Sequence, residues 1–240
     1  MNQHSNFHGA PMIMRAADIN AGIEAACPQI GAFLPSGGCE FPSNEHFYQA
    51  LASDSLETFL AFTTSGRFGR LDVTFFELLL VEKLLPVKKK VKGAPATAKE
   101  IRATAVDKVK YWKPKGNVGI VAKMVSTMDA NMRARLFAPL VFDYDRLDTL
   151  SEEHQRLVWR AIHLRKYETH AKLRESLLAT GSAYLLEFVR GAERVERQSK
   201  GATVEKWGGL INEQGEIFGC NYMGRFLMAA RHDLAVKYRQ

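Results

Sequence analysis

Residues 41–50 read FPSNEHFYQA, and this stretch predicts the start of a helix. Ser43 or Asn44 can cap that helix, since either side chain accepts a hydrogen bond from the free backbone N–H groups of the first turn. Glu45 then lies in the first turn, where the helix dipole favours a negative charge. Gln49 follows one turn later on the same face, so the two could act together on a polar ligand. Glu45 is therefore either a helix-start residue or a functional acid, and the local sequence leaves both interpretations open.

Length and composition predict one domain over residues 1–240. The chain has 46% apolar residues, enough for one substantial core. Its three cysteines are widely spaced and form no C-x-x-C pair, so neither a disulfide framework nor a zinc site is indicated. The N-terminus lacks a signal-peptide pattern, and the most apolar run is interrupted by charged residues. We expect a cytoplasmic protein with no membrane span, no metal and no cofactor.

The hydrophobic pattern predicts a predominantly helical α+β fold with a few short strands. Residues 1–42 show no sustained periodicity and are expected to be irregular, whereas AYLLEFV (183–189) is typical of a strand, with a buried helical turn as the alternative. The main helices are predicted at about 44–63, 72–85, 97–112, 117–128, 152–170, 171–181 and 222–238.

Two of these helices carry a capping-box pattern. Thr97 with Glu100, and Thr149 with Glu152, have the spacing in which each side chain satisfies a backbone N–H of the other residue. In the helix that follows Glu152, the predicted apolar stripe comprises Leu157, Ala161 and Leu164. In the final helix, the residues predicted to point inward are Phe226, Leu227, Ala230 and Leu234.

The positive charge of the chain is concentrated in a Lys-rich segment, residues 83–123. This segment carries a local excess of +10, whereas the whole protein carries +7, so the rest of the chain is net negative. Tyr111 and Trp112 lie among the lysines and could stack on bases while the lysines neutralise phosphates. A solvated surface loop is the alternative. The predicted nucleic-acid-binding residues are Lys88, Lys89, Lys90, Lys92, Lys113 and Lys115.

Three separated stretches, 31–50, 164–188 and 206–234, carry a combination of motifs. They contain an aromatic-x-Pro entry, S-x-E-H followed by two aromatics and Q-A, H-x-x-L-x-x-x-L-L-x-T-G, and a Trp-Gly loop leading to N-x-x-G. In order and character these stretches resemble the NADAR family, the YbiA-like N-glycosidases. The region 65–150 matches the family poorly and contains the Lys-rich segment, which we interpret as an insertion.

The resemblance implies a set of site residues around a ribose. Glu45 takes the position of the central acid of the family, with His46 in the same motif. The remaining substrate-binding positions that it implies are Phe33, Gln49, Trp207, Gly208, Gly209 and Asn221. Some members of the family have an Asp where this chain has Gly209, so a second acid from the loop would come from Glu205 or Glu213.

The chemistry of such a site follows from the bond that it breaks. Cleaving a C–N bond at an anomeric carbon develops oxocarbenium charge, which a fixed carboxylate such as Glu45 can stabilise while it orients water. Lys123 is a second catalytic candidate, because apolar neighbours could lower the pKa of its amine and make it nucleophilic. The alternative for Lys123 is a lysine that extends from an amphipathic helix into solvent.

Two activities and one binding function compete within this resemblance. One branch resembles hydrolases that remove ADP-ribose from guanine bases in DNA, with a DarT-type toxin as functional counterpart. Another resembles N-glycosidases acting on phosphorylated riboside intermediates of riboflavin synthesis, and a third possibility is a non-catalytic ADP-ribose or nucleic-acid binding module. The charge of the Lys-rich segment favours the first, with ADP-ribosylated DNA as substrate, since a small phosphate needs only two or three cations.

Overall fold

The computed structural model describes residues 10–88, 94–112, 118–126, 128, 132, 136–137, 140–187, 206–211 and 214–238. The described residues up to Val158 form one compact unit, called here the N-terminal unit, and those from Trp159 onward form a C-terminal unit. The single domain predicted over 1–240 stays a prediction, because two compact units can belong to one folding domain.

Short helices and one two-stranded sheet make up the N-terminal unit. The strands pair antiparallel, with Met12 opposite Phe41 and Met14 opposite Cys39. Its elements are β1 (Met12–Met14), α1 (Ala21–Ala26), α2 (Ile30–Phe33), β2 (Cys39–Phe41), α3 (Asn44–Ala50), α4 (Leu56–Leu60), α5 (Arg67–Arg70), α6 (Val73–Val81), α7 (Ala98–Trp112), α8 (Val118–Ser126) and α9 (Tyr144–Asp148).

Longer helices and a short hairpin make up the C-terminal unit. Helix α10 (Glu152–Thr169) enters it at Trp159, and α11 (Ala171–Leu178), β3 (Leu210–Ile211), β4 (Ile217–Phe218) and α12 (Tyr222–Lys237) follow. The hairpin pairs Leu210 with Phe218 in an antiparallel register. Across the described residues the chain is predominantly helical with short strands, as the hydrophobic pattern predicts.

The expectation of irregular structure over residues 1–42 is wrong for the described part of that range. The side chain of Asn20 accepts hydrogen bonds from the backbone N–H groups of Gly22 and Ile23, which starts α1 without a long apolar period. Helices of four to six residues such as α1 and α2 are too short for a hydrophobic period to reveal.

The strand predicted at 183–189 is also wrong over residues 183–187, which form neither strand nor helix. A side chain satisfies this backbone in place of a neighbouring strand. The amide of Asn221 donates to the carbonyl of Leu185 and accepts from the N–H of Glu187. Because these bonds need only one polar residue far along the chain, the local aromatic and apolar content could not reveal them.

The helix predicted at 44–63 is interrupted after Ala50, and α4 begins only at Leu56. Ser55 caps the second helix by accepting a hydrogen bond from the N–H of Thr58 at 3.1 Å. The break places two short helices in different directions where the sequence predicts one long helix.

The first capping box is confirmed and the second is wrong. The hydroxyl of Thr97 accepts from the N–H of Glu100 at 3.2 Å, and the Glu100 carboxylate accepts from the N–H of Thr97 at 2.9 Å. Thr149 instead donates its hydroxyl to the carbonyl of Asp145 in the preceding helix. The first turn of α10 is capped by Ser151, whose hydroxyl accepts from the N–H of His154.

The apolar stripe predicted on α10 is only partly buried: Leu157, Ala161 and Leu164 are half-buried, and Leu164 packs against the core of the C-terminal unit. The fully buried positions of α10 are neighbours of these three residues in the sequence. They include polar as well as apolar residues, so hydrophobicity alone does not identify them. These positions are Gln155, Val158, Trp159, Ile162, His163, Lys166 and Tyr167. The inward residues predicted for the final helix, Phe226, Leu227, Ala230 and Leu234, are all buried, as expected.

Aromatic rings form the centre of the N-terminal unit and position α3. Phe41 and Phe47 meet edge to face with centroids 5.1 Å apart, and Phe59 lies 5.6 Å from Phe41. Phe62 and Phe68 continue the cluster at 4.7 Å. The aromatic pair after Glu45 is thus partly explained by packing, because Phe47 is fully buried in this cluster.

Arg146, on α9, ties three stretches of the N-terminal unit together. Its side chain is only 17% exposed and makes two ion pairs. Its acceptors are the carbonyl oxygens of Ala26, Leu51 and Ser53 and the carboxylates of Asp54 and Asp143. A planar guanidinium can hold several acceptors in fixed directions, so Arg146 fixes the chain just beyond α3.

Within the part of the chain that the structure describes, none of the helices is both long and apolar enough to cross a membrane.

Candidate functional site

Glu45, in the first turn of α3, and Gln49, in its last turn, form a direct pair. Gln49 Nε2 donates a hydrogen bond of 2.7 Å to Glu45 Oε1, one turn below it. Both residues are half-buried. Ser43 stands at the N-cap with extended backbone, but its hydroxyl bonds Nδ1 of His46 at 2.8 Å and not a backbone N–H.

Helix α8 closes against this pair through Gly119. A Cβ atom placed on Gly119 would lie 2.6 Å from Glu45 Oε1 and 2.8 Å from Gln49 Nε2, closer than real Cβ atoms approach. Glycine therefore lets the backbone of α8 lie directly on the carboxyl–amide pair, whereas a larger residue would push the Glu45 and Gln49 side chains aside. Sequence reasoning missed Gly119, because the contact joins residues far apart in the chain.

The environment of Glu45 changes its acidity. Burial raises the pKa of the Glu45 carboxyl to about 7, although the hydrogen bond from Gln49 acts in the opposite direction. The negative charge of this carboxylate also acts on two tyrosines. Burial, with the charges of Glu45 and Asp148, raises the pKa of both Tyr48 and Tyr144, which stay protonated. Glu45 thus titrates near neutral pH, as a proton-transferring group requires.

The structure places two further predicted residues, His46 and Phe33, in the core of the N-terminal unit. His46 is 5% exposed, and burial lowers its pKa to about 4, so the ring is neutral at neutral pH. Phe33 is buried, with its ring 5.6 Å from that of Phe59. Their substrate-binding roles stay predictions, and the observed contacts of both are structural.

Lys123 lies in α8, which also carries Gly119, but its side chain is outside the described part of the structure. The lysine that the structure shows fully buried is Lys166, on α10 in the C-terminal unit. Burial lowers the pKa of Lys166 to about 8, while the charge of Glu187 acts in the opposite direction. Lys166 therefore has the lowered amine pKa expected for Lys123.

Buried groups surround Lys166. His163 is fully buried one turn earlier on α10, and burial with the charge of Lys166 lowers its pKa to about 3. Burial also raises the pKa of Glu187, which the charge of Lys166 partly offsets. Sequence reasoning missed both Lys166 and Glu187. The one available signal was position, because Lys166 falls on the same face as Trp159, Ile162 and His163 at helical spacing.

Trp207 is half-buried in the C-terminal unit and takes part in an aromatic group. Its ring meets Trp159 edge-on at 6.2 Å and Tyr222 at 6.4 Å. The ammonium group of Lys206 lies 5.3 Å from the Trp207 ring centre. A tryptophan face beside a cation suits a planar base or a sugar that carries phosphate.

Replacing Trp207 by alanine is expected to weaken substrate binding by about 1–3 kcal/mol, because a stacked base or sugar would lose its aromatic partner. Binding affinity and free energy of unfolding should be measured on the same variant. A variant that loses stability, but whose folded fraction binds with unchanged affinity, would show that Trp207 serves only the core.

The close packing of the hairpin explains why position 209 carries a glycine and not an acid. A Cβ there would lie 2.3 Å from the carbonyl oxygen of Phe218, so the hairpin of β3 and β4 requires glycine. The N–H of Gly209 donates to the carbonyl of Glu187 at 2.9 Å. Gly208 is buried and its carbonyl accepts from Asn221. Glu205 and Glu213 lie outside the described residues, and the acid that the structure places beside this loop is Glu187.

Asn221 organises the backbone around the loop. It is fully buried and adopts a left-handed conformation with φ of 49°, which Asn tolerates better than most residues. Its amide nitrogen donates to Tyr184 Oη at 3.0 Å and to the Leu185 carbonyl at 2.8 Å. Its side-chain oxygen accepts from the N–H of Glu187. Most of its hydrogen-bonding capacity is therefore used within the unit.

Of the six predicted nucleic-acid-binding lysines, the structure describes only Lys88. Its ammonium forms a 2.9 Å ion pair with Asp107, and both side chains are largely exposed. An exposed pair of this kind is worth little energy, so Lys88 remains accessible to a stronger anion. The others, Lys89, Lys90, Lys92, Lys113 and Lys115, lie outside the described residues.

Among the described residues, no three His, Cys, Asp or Glu side chains come together in a group that could hold a metal ion. No protein-family model, curated protein or solved structure matches the chain.

Proposed function

We propose that this protein is an N-glycosidase that hydrolyses ADP-ribose from guanine bases in DNA, reversing a DarT-type modification. The observation that carries the proposal is the Glu45 carboxyl at the start of α3, which Gln49 holds at 2.7 Å and whose pKa burial raises to about 7. A carboxyl in this state suits a reaction that moves protons at neutral pH.

The proposed reaction breaks the bond between C1 of the ribose and the guanine nitrogen. As the bond lengthens, positive charge develops on the ribose, and the ionised Glu45 carboxylate stabilises it. The same carboxylate accepts a proton from the attacking water, whose oxygen forms the new bond to C1. The released nitrogen takes up a proton, so the products are ADP-ribose and an unmodified guanine.

Gln49 holds the carboxylate in place during these steps. Its Nε2 bond leaves Glu45 Oε2 as the oxygen that remains for water or substrate. Gly119 packs against the two bonded atoms, Glu45 Oε1 and Gln49 Nε2, and limits the access of bulk water to them. A fixed carboxylate needs no reorganisation when charge develops, which lowers the reaction barrier.

The choice of DNA as substrate rests on the charge of the Lys-rich segment, residues 83–123. A direct test incubates the protein with an oligonucleotide that carries ADP-ribosylated guanine, and with a phosphorylated riboside in parallel. Mass spectrometry of the products should show free ADP-ribose and restored guanine from the oligonucleotide. Turnover of the riboside alone would favour a small-molecule N-glycosidase, and binding of ADP-ribose without turnover would favour a binding module.

Changing Lys88, Lys89, Lys90 and Lys92 together to serine should weaken binding to the modified oligonucleotide and flatten its salt dependence. Each lysine that no longer neutralises a phosphate should lower the slope of log affinity against log salt by about 0.9, because fewer counterions are released. Hydrolysis of a modified mononucleoside should hardly change, since that substrate has no neighbouring DNA phosphates for these lysines to neutralise. Affinities measured over a salt series give the slope.

A control variant with the same change in net charge carries serine at four exposed basic positions outside the segment, namely Arg70, Arg156, Lys172 and Lys237. This control should keep the wild-type salt slope. If the two variants reduce the slope equally, the effect reflects overall charge, and the segment has no particular role in binding DNA.

A further inference from the structure

Several buried polar atoms of the N-terminal unit, His46 Nε2 among them, lack a hydrogen-bond partner among the described residues, and two of them belong to residues that bond Glu45 or interact with its charge. These two are the amide oxygen Oε1 of Gln49 and the phenolic oxygen of Tyr144. A buried polar group without a partner destabilises the folded state, so each such group calls for a ligand or water as its partner. Both groups belong to the N-terminal unit and neither is needed to hold the Glu45–Gln49 pair.

The orientation of the Gln49 amide follows from its partner. An ionised carboxylate only accepts hydrogen bonds, so the group that faces Glu45 at 2.7 Å is the NH₂. The amide oxygen is therefore directed elsewhere, and it can only accept. Gly119 packs against the same amide nitrogen and leaves little room for the side chain to turn.

The backbone brings Tyr144 to the end of α3. The N–H of Asp143 donates to the carbonyl of Ala52 at 2.7 Å, and Phe142 forms an isolated bridge with Ser53. The Tyr144 ring stacks on Phe142 with centroids 5.7 Å apart and an angle of 19° between the planes. Stacking fixes the ring and with it the position of the phenolic oxygen, while the O–H hydrogen can turn toward an acceptor.

Tyr144 lies close enough to Glu45 for the carboxylate charge to act on the phenol. Burial and the charges of Glu45 and Asp148 raise its pKa, so the phenol keeps its proton. The residues around Glu45 thus include an amide oxygen that accepts and a phenolic O–H that donates, in addition to the carboxyl itself. A vicinal diol matches this set, because one hydroxyl can donate to the amide oxygen while the other accepts from the phenol.

We propose that Gln49 Oε1 and Tyr144 Oη bind the two adjacent hydroxyls of the substrate ribose and position its C1 at Glu45. The proposal rests on the N-glycosidase function and deepens it by naming the group that the site recognises. Tyr144 is a positioning residue in this scheme, since it touches the sugar hydroxyls and not the bond that breaks. A sugar without one of the two hydroxyls should form only one of the two hydrogen bonds.

The test measures binding of ADP-ribose by calorimetry, using the full chain and its Tyr144→Phe variant. The substitution removes only the hydroxyl, and it should weaken ADP-ribose binding by about tenfold, the loss expected for one hydrogen bond. An ADP-ribose analogue without the ribose hydroxyl that Tyr144 contacts should bind the wild type about tenfold more weakly, and should bind the variant no worse than ADP-ribose does. The two deoxy analogues, tested separately, identify that hydroxyl.

Stability measurements separate positioning from a structural role. Tyr144→Phe removes a buried hydroxyl without a described partner, so the melting temperature should stay the same or rise. Tyr238→Phe, at an exposed tyrosine, is the matched control and should change neither affinity nor ligand preference. A folded Tyr144→Phe protein with wild-type affinity and unchanged preference between ADP-ribose and both deoxy analogues overturns the proposal.

The same measurements distinguish this inference from the function on which it rests. A protein that leaves modified DNA intact, yet binds ADP-ribose in a Tyr144-dependent way, would contradict the hydrolase and support the diol site. A protein that hydrolyses the DNA with no effect of Tyr144→Phe on KM or on ADP-ribose affinity would contradict only the diol site. A wild-type protein that binds neither ADP-ribose nor ribose 5-phosphate at millimolar concentration overturns the diol site outright.

Discussion

The Glu45→Gln variant is expected to lose hydrolysis of ADP-ribosylated guanine by roughly 10²- to 10⁴-fold, the range for removal of a proton-transferring group. Glutamine has almost the same shape but carries no charge and accepts no proton, so substrate affinity should change little. In the wild type, kcat/KM should rise with pH and level off above about 7, because the ionised carboxylate is the active form. Turnover of a modified oligonucleotide over a pH series measures both effects.

The same variant should be more stable than the wild type at alkaline pH. Burial raises the Glu45 pKa from 4.5 to about 7 in the folded state, so the folded protein holds its proton more tightly than the unfolded chain. This pKa difference contributes to the free energy of unfolding of the wild type. The contribution is fully present below pH 4.5 and is lost as the pH rises through 7. Glu45→Gln should therefore gain on the order of 1–3 kcal/mol at pH 8 and almost nothing at pH 4.5.

A matched control is Glu40→Gln, which makes the same chemical change at an exposed position on β2. It should alter neither turnover nor the pH dependence of stability. A Glu45→Gln protein that retains near wild-type turnover would identify Glu45 as a helix-start residue and would contradict the proposed mechanism.

The Arg146→Ala variant is expected to lose about 3 kcal/mol of folding stability. The substitution leaves two carboxylates and three carbonyl oxygens without the guanidinium that donates hydrogen bonds to them. The side chain makes two ion pairs and bonds to three carbonyl oxygens within the N-terminal unit. Urea denaturation followed by circular dichroism measures the loss. Arg146→Lys should recover only part of it, since an ammonium group cannot span acceptors in so many directions.

Arg156→Ala provides the comparison for this loss. Arg156 pairs with Glu153 on the same exposed face of α10, and removing such a pair should change stability by at most about 0.5 kcal/mol. Equal losses in the two variants would show that Arg146 contributes no more than a surface ion pair.

Local chemistry let the sequence predict some features well. The capping box of Thr97 and Glu100 forms as the spacing predicts, because both partners lie within one helical turn. The pairing of Glu45 with Gln49 is equally local, and its geometry follows from four-residue spacing. The inward face of α12 follows from its apolar period, since its core residues are all hydrophobic.

Predictions from the local sequence failed where polar residues are buried or bond a neighbouring helix. The fully buried positions of α10 include Gln155, His163 and Lys166, so a search for apolar residues alone missed them. Thr149 and Glu152 have the spacing of a capping box, yet Ser151 makes the cap because the preceding helix engages Thr149. The Thr149 hydroxyl bonds the acceptor that the backbone places within its reach, and here that acceptor is a carbonyl of the preceding helix.

The sequence by itself determined that a helix begins at the Ser-Asn-Glu stretch, that Glu45 and Gln49 share a face, and that the chain is mainly helical. Each of these depends on residues within one or two turns of each other. Only the tertiary structure decided that Gly119 closes on the pair and that Tyr144 lies near it. It also decided the acidity of Glu45, because a pKa depends on how much water distant segments exclude from the carboxyl, and no local pattern encodes that exclusion.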